Sequence, residues 1–190
     1  MDVTRTFDLL DRYRERSSKE DALCFKHNGV WIKYSSQDYI DFSYNFCYGL
    51  YELGFRPGDK IITVSSNRPE WNFADMGMSM LGIVHVPVFT SLNASEYEYI
   101  INNSGAKMVL VSDNKLFCCL SPALKNSDHG IMVYTFDNVP NTNSWTEVIN
   151  KGKSCSARYT IPSRLRPSGP KSGRKKNFSF PILTRPRSPL

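Results

Sequence analysis

The last forty residues, 151–190, contain no aspartate or glutamate, while they hold eleven of the 24 lysines and arginines. The net charge of +6 is therefore not a property of the whole chain. Residues 1–150 carry 13 basic and 18 acidic side chains, a net of −5. The same forty residues hold six of the eleven prolines, seven serines and ten apolar residues. A stretch of that composition buries too little apolar surface to offset its ordering entropy. It is expected to be a disordered basic tail, 153–190, behind a folded region, 1–152. Other absences narrow the class. No run of 18 apolar residues occurs, so no membrane-spanning helix is expected. The opening "MDVTRTFDLLDRYRERSSKE" has no apolar stretch of the kind a secretory signal needs. The five cysteines, Cys24, Cys47, Cys118, Cys119 and Cys155, follow no zinc or disulfide spacing, which points to reduced thiols and a cytoplasmic location, peripheral to membranes at most.

One stretch of the tail imitates a phosphate loop. "SGPKSGRKK" spans Ser168 to Lys176 and brings two glycines beside four cations. A working phosphate loop follows a buried strand and opens a helix, so that backbone N–H groups converge on the anion. Here Gly169 and Gly173 are four apart where the Walker pattern needs five, and Arg174 stands where it needs lysine. The preceding "PSRLRP" is bracketed by prolines and charged within, which excludes a central strand.

The first 150 residues read differently. "TFDLLDRYRER" predicts a short helix with Phe7, Leu10 and the Arg14 stem on one side. "ALCFKHNGVWIKY" predicts a hairpin turning at Asn28-Gly29, with His27 solvated at the turn. The segment 35–54 predicts a helix capped by Ser35 or Ser36, with Tyr39, Phe42, Phe46, Leu50 and Leu53 on its buried face and Gly54 at its end. "KIITV" is a β-branched run suited to a strand buried on both faces. The next helix is expected to be capped by Asn67 with Glu70 at capping-box spacing, and striped by Trp71, Ala74, Met78 and Leu81. "IVHVPVF" and "KMVLV" are further strands, separated by a helix with Asn93 and Glu96 at capping-box spacing. A helix near 114–126 is interrupted by Pro122. "IMVYTF" is a strand, and "SWTEVINKG" a short final helix. Strands thus begin near Lys60, Ile83, Lys107 and Ile131, with one helix in each gap. This alternation predicts an α/β fold with a mostly parallel sheet and crossover helices.

Ligands on such sheets bind outside the carboxyl ends of the strands. Those ends are "SSNRP" (65–69), "FTSLN" (89–93), "SDNK" (112–115) and "DNVP" (137–140). They offer helix N-termini, hydroxyls and amides, and no readable Ser/His/Asp set. His85 lies inside a strand and is expected to be a hydrogen-bonded core histidine, and His129 lies in a loop. Glu70, Glu96 and Glu98 fit helix caps and solvated faces. Cys118 and Cys119 are expected to be two thiols on a helix. No residue is assigned as catalytic, cofactor-binding or metal-binding.

In order, "GDKIITVSSNRPEW", "GIVHVPVFTSL" and "YIINNSGAK" resemble the N-terminal part of the adenylate-forming acyl-CoA synthetases, and most of all the long-chain fatty acid–CoA ligases. The resemblance covers roughly residues 5–150. It implies the first part of a large α/β domain. It also implies a parent reaction in which Mg-ATP converts a fatty acid to an acyl-adenylate and the acyl group passes to coenzyme A. The family's phosphate loop, of the form Y-T-S-G-T-T-G-x-P-K-G, and its later ribose acid, arginine and lysine have no counterpart in the 190 residues. ATP, Mg and coenzyme A are thus cofactors of the parent family, with no productive binding expected here. On this reading the chain is a truncated ligase, cut off by a frameshift, an alternative exon or gene decay, with uncovered apolar sheet faces. The alternative from another class is a non-catalytic α/β binding module whose tail docks on nucleic acid or an acidic membrane.

The composition change generates a test. Limited trypsin digestion should remove the tail before it cuts at Lys60 or Lys107. Protection of Arg174 to Lys176 in the isolated protein would contradict the disordered-tail reading.

Overall fold

A computed structural model of the chain describes residues 4–16, 18–27 and 29–158. The remainder, including the stretch "SGPKSGRKK" and the tail expectation from 159 onward, lies outside the described residues. The elements run α1 (Asp8–Arg16), β1 (Leu23–His27), β2 (Val30–Tyr34), α2 (Ser36–Glu52), β3 (Lys60–Val64), α3 (Pro69–Leu81), β4 (Val84–Val88), α4 (Ala94–Ser104), β5 (Met108–Val111), α5 (Asn114–Lys125), β6 (Met132–Thr135), β7 (Asn143–Ser144) and α6 (Trp145–Arg158). The strands β1 and β2 form an antiparallel hairpin, and the other five form one sheet in the order β4-β3-β5-β6-β7. Every pairing in that sheet is parallel. The α/β fold with parallel strands and crossover helices is the one the alternation implies.

Both faces of the sheet are covered, which follows from the sequence of its strands. In β3 and β5 successive apolar side chains point to opposite sides. Ile61, Met108 and Leu110 join one core with Tyr134 and Phe136, beneath α1, α2, α3 and α6. Ile62, Val64, Val109 and Val111 join a second core beneath α4 and α5. The expected uncovered apolar faces are therefore absent from these central strands: the chain's own helices supply both layers. Aromatic rings link the elements of the first core. Phe73 stacks on Phe42 with centroids 5.0 Å apart, Trp145 lies 5.8 Å from Phe42, and Phe136 meets Trp145 edge-on at 5.5 Å.

The helix α6 departs from the short final helix expected. It runs on through Gly152, where the composition change places the domain boundary, to Arg158. Gly152 and Cys155 are both buried. The reason lies in how closely α6 crosses α2. A Cβ on Gly152 would collide with the backbone carbonyl of Asn45, and a Cβ on Gly49 with that of Val148. Glycine at both positions lets the two helices touch through their backbones. On its other side α2 meets α3 at Gly77, where a Cβ would stand 2.8 Å from the Ser43 carbonyl oxygen.

Local expectations fare unevenly. Ser35 caps α2 in a capping box with Asp38, and Asn93 caps α4 in one with Glu96. For α3 the expectation is corrected. Its N-cap is Arg68, which makes no side-chain cap hydrogen bond, Pro69 opens the helix, and Glu70 turns to Arg68 instead of forming a box with Asn67. Its buried face centres on Phe73, Ala74, Gly77, Met78 and Leu81, with Trp71 only half-buried beside His85. Pro122 does not interrupt α5, which runs unbroken from Asn114 to Lys125. The two-residue strand β7, pairing with β6, has no periodic signal at that length.

The glycine contacts predict a sharp asymmetry. Gly152→Ala should destabilise the fold by about 1–3 kcal/mol or more, because the blocking atoms are backbone and cannot rotate away. Gly130→Ala, which meets nothing within 4 Å, should shift stability by no more than about 0.5 kcal/mol. Urea unfolding followed by circular dichroism measures both; equal effects would refute the close-crossing account.

Candidate functional site

From β3 the chain crosses by α3 to β4 on one side, and from β5 it crosses by α5 to β6 on the other. Because β3 and β5 are neighbours, their carboxyl ends diverge, and the sheet has its topological switch point between them. The helices α3 and α5 lie on opposite faces. Loops 65–68 and 112–113 therefore form the two walls at the position where α/β sheets of this kind place ligands.

One cation holds these walls together. Arg68 donates through one terminal nitrogen to the Ser112 carbonyl at 3.0 Å and to Asp137 Oδ1 at 2.9 Å. Its Nε and other terminal nitrogen donate to the two carboxylate oxygens of Glu70 at 2.9 and 3.1 Å. The guanidinium carbon lies 5.3 Å from the Phe136 ring centre and 5.7 Å from that of Phe25 on β1. The Arg68 side chain is 9% exposed. Burial alone would lower its pKa, but Glu70 and Asp137 outweigh that and raise it above the ordinary value. The ends of β3, β5 and β6, the start of α3 and the hairpin thus share one side chain.

The second wall has its own network. The Ser112 hydroxyl donates to Asp113 Oδ2 at 2.6 Å and accepts from the Ser66 N–H at 3.4 Å. Asp113 Oδ1 accepts the Leu116 N–H at 3.0 Å and so caps α5. Burial pushes the Asp113 pKa up, but the Ser112 hydroxyl and the backbone N–H groups of Leu116 and Lys115 outweigh it and hold it low. Asp113 is an anion at neutral pH with both of its carboxylate oxygens engaged.

The remaining polar candidates are structural. His85 places Nδ1 2.7 Å from Asp75 Oδ1 and Nε2 3.0 Å from Thr63 Oγ1. The order Asp, His, Thr imitates a nucleophile relay. Thr63, however, is 1% exposed in the middle of β3, so no substrate carbonyl reaches it. His85 is the hydrogen-bonded core histidine the strand position implies. His129 Nε2 lies 3.0 Å from the Ala106 carbonyl oxygen. Cys118 and Cys119 are exposed thiols on α5. Burial, with Cys155 nearby, pushes the Cys47 thiol up to about 12, so it is a poor nucleophile. Among the described residues no group of three or more His, Cys, Asp or Glu could hold a metal ion, and no helix is long and apolar enough to cross a membrane. Sequence reading missed Arg68. Its signal is an arginine directly before the proline that opens a helix, with glutamate two residues on, but its other partners are 44 and 69 residues away.

The fold and its switch-point edge place the chain among the open parallel-sheet α/β proteins, and comparison narrows the class. The AMP-binding enzyme family matches residues 10–172. The chain belongs to that family, and what it matches is the N-terminal part of the acyl-CoA ligases. It is 24% identical over 138 residues to a long-chain-fatty-acid–CoA ligase of Gallus gallus, covering 70% of this chain and 18% of that protein. It is 32% identical over 115 residues to fatty acyl-CoA synthetase A of Dictyostelium discoideum, covering 56% and 17%. The benzoate CoA ligase from Burkholderia xenovorans LB400 shares the fold, with a TM-score of 0.63 at 20% identity over 78% of this chain and 28% of that one. The chain thus spans under a fifth of the length of these two curated relatives.

The clamp makes a prediction. Arg68→Met should destabilise the fold by roughly 3–5 kcal/mol, since it leaves Glu70 buried without its cation. The double variant Arg68→Met/Glu70→Leu should recover a large part of that loss. Thermal unfolding of the three proteins checks both, and an unaffected single variant would remove Arg68 from its central place.

Proposed function

We propose that this chain contributes the first α/β portion of an ATP-dependent fatty acid–CoA ligase. In that reaction a carboxylate is converted to an acyl-adenylate, and the acyl group is then passed to coenzyme A. The observation that carries the substrate class is the similarity to two curated fatty acyl-CoA-forming enzymes from animal and amoeba. The switch-point edge between β3 and β5 supports it, because that is where such a fold presents a nucleotide. Within this reading the Arg68 clamp is a positioning device: it fixes three strand-end loops in one register and leaves reaction chemistry to other groups. Fatty acid, ATP, Mg and coenzyme A are the ligands of the longer enzyme. The family portion runs beyond the expected boundary at 152, since the family match extends over residues 10–172, and any contacts of the basic segment with anions are adventitious.

The 190 residues contain no loop of the family's Ser/Thr/Gly-rich form. Losing even one preorganised donor typically costs about 100- to 1000-fold in rate. Purified chain given palmitate, Mg-ATP and coenzyme A should release no AMP above background; stoichiometric turnover would overturn the expected inactivity. The ligase reading itself is tested on the transcript. Translation in all three frames around and beyond codon 153 should reveal the Ser/Thr/Gly-rich loop. Its absence from every frame and from neighbouring exons would favour a non-catalytic binding module.

A further inference from the structure

The β1–β2 hairpin ends in a feature the rest of the surface does not repeat. Val30, Trp31 and Ile32 are consecutive and 67%, 61% and 39% exposed. Among the described residues they form the one run of three exposed large apolar side chains. The pairing register assigns them to both sides of the ribbon. Val30 lies opposite His27 and Ile32 opposite Phe25 on one side, and Trp31 lies opposite Lys26 on the other. The base of the ribbon is fixed. Tyr34 meets Phe73 edge-on at 5.2 Å and Phe42 at 6.1 Å, while Phe25 lies under the Arg68 guanidinium. The side that carries Val30 and Ile32 is thus anchored to the body at its base through Phe25 and Tyr34, while towards the turn Val30 on that side and Trp31 on the other both stand exposed.

We propose that this hairpin tip inserts into the interfacial layer of a lipid surface. A folded partner offers one surface and would cover one side of the ribbon, leaving the other apolar side in water. A lipid interface surrounds a projecting tip and receives both sides at once. The residue types agree with that solvent. Tryptophan places an apolar ring and an N–H donor at the headgroup level. Lys26 brings its ammonium to 5.9 Å from the Trp31 ring centre, where a flexible stem lets the charge reach lipid phosphates while its methylenes stay with the ring. The hairpin strands carry Lys26, His27 and Lys33 and no acidic residue, so the charge is complementary to anionic headgroups. Lys33 is shared with Asp21 at 3.6 Å, which leaves Lys26 as the nearer counter-charge. The depth reached is that of an interfacial contact and not a span. The inference stands on the hairpin alone, whether or not the ligase reading holds.

Full-length protein should co-sediment with phosphatidylcholine vesicles at high salt, where the basic segment's attraction is screened, and bind more tightly when phosphatidylserine is added. Brominated acyl chains should quench tryptophan emission in the wild type. Trp31→Phe should keep the binding and lose that quenching, since Trp71 and Trp145 stay with the body. The variant Val30→Ser/Trp31→Ser/Ile32→Ser should lose about tenfold or more in partitioning while circular dichroism stays native. Should the triple variant misfold, the quenching contrast between wild type and Trp31→Phe still decides. Equal binding by wild type and triple variant, no vesicle binding by the wild type, or unchanged quenching in Trp31→Phe would each overturn the proposal. A concentration-dependent dimer that the triple variant abolishes, without vesicle binding, would assign the tip to a second copy and also overturn it.

Discussion

Arg68 donates to a backbone carbonyl at the end of β5, to Asp137 after β6, and to Glu70 in the first turn of α3. A parallel sheet has no hairpin loops to tie its strand ends together, because each strand returns through a helix on the far side. The carboxyl edge is then a row of separate loops, each leading to a different layer. A planar cation with donors on several sides joins them at small entropic cost, since its fork is rigid. Desolvating a charge is expensive, and here two carboxylates and two aromatic faces offset that cost. The hairpin depends on the same side chain through Phe25. The geometry of the edge traces to this one guanidinium, which the hairpin shares through Phe25 while Tyr34 anchors it on Phe73.

The opposite constraint acts at the helices. Where Arg68 draws loops together by charge, α2 and α6 approach by having nothing in the way. Gly49 and Gly152 remove the side chains that would hold the axes apart. Trp145, Val148 and Ile149 can then seat against the sheet side of the core while the helix backbones touch. This explains why α6 continues past the composition change. Loss of acidic residues alters the surface charge of the helix, but burial of Gly152 and Cys155 is decided by packing, which continues as far as Cys155.

Much of this fold is legible in the sequence because its signals are local. "KIITV" and "KMVLV" have the uninterrupted apolar character that burial on both faces demands, and Ser35 and Asn93 cap their helices through residues three positions away. What is not legible rests on distant partners. Arg68 looks like a surface arginine until Ser112 and Asp137 are brought to it. Asn67 looks like a cap because it precedes Pro69-Glu70 at a good spacing. Glu70, however, gains more from a bidentate cation than from a backbone N–H. Trp71 looks like the start of the α3 stripe because it is large and apolar, whereas Phe73, two positions on, faces the aromatic cluster. The glycines of α2 and α6 resemble helix weak points, and only the crossing shows them to be required. Pro122 is admitted to α5 because its neighbours Leu120 and Ala123 are fully buried, and their packing outweighs a local breaker.

The charge of the switch-point edge limits what it can do unaided. Its walls carry Arg68 and Lys115 against Glu70, Asp113 and Asp137. Arg68 is sequestered by two of those carboxylates, and Asp113 is occupied by the Ser112 hydroxyl and the cap of α5. The starts of α3 and α5 each add about half a positive charge, which falls off within a turn. An anion as dense as a nucleotide polyphosphate gains little from a surface so nearly balanced. On the ligase reading, the positive charge a nucleotide would need at this edge would have to come from groups other than Arg68. What the described residues supply is a fixed wall. The two carboxylates that neutralise Arg68 keep it from serving as a phosphate ligand, and the same contacts make it a rigid support for the strand-end loops.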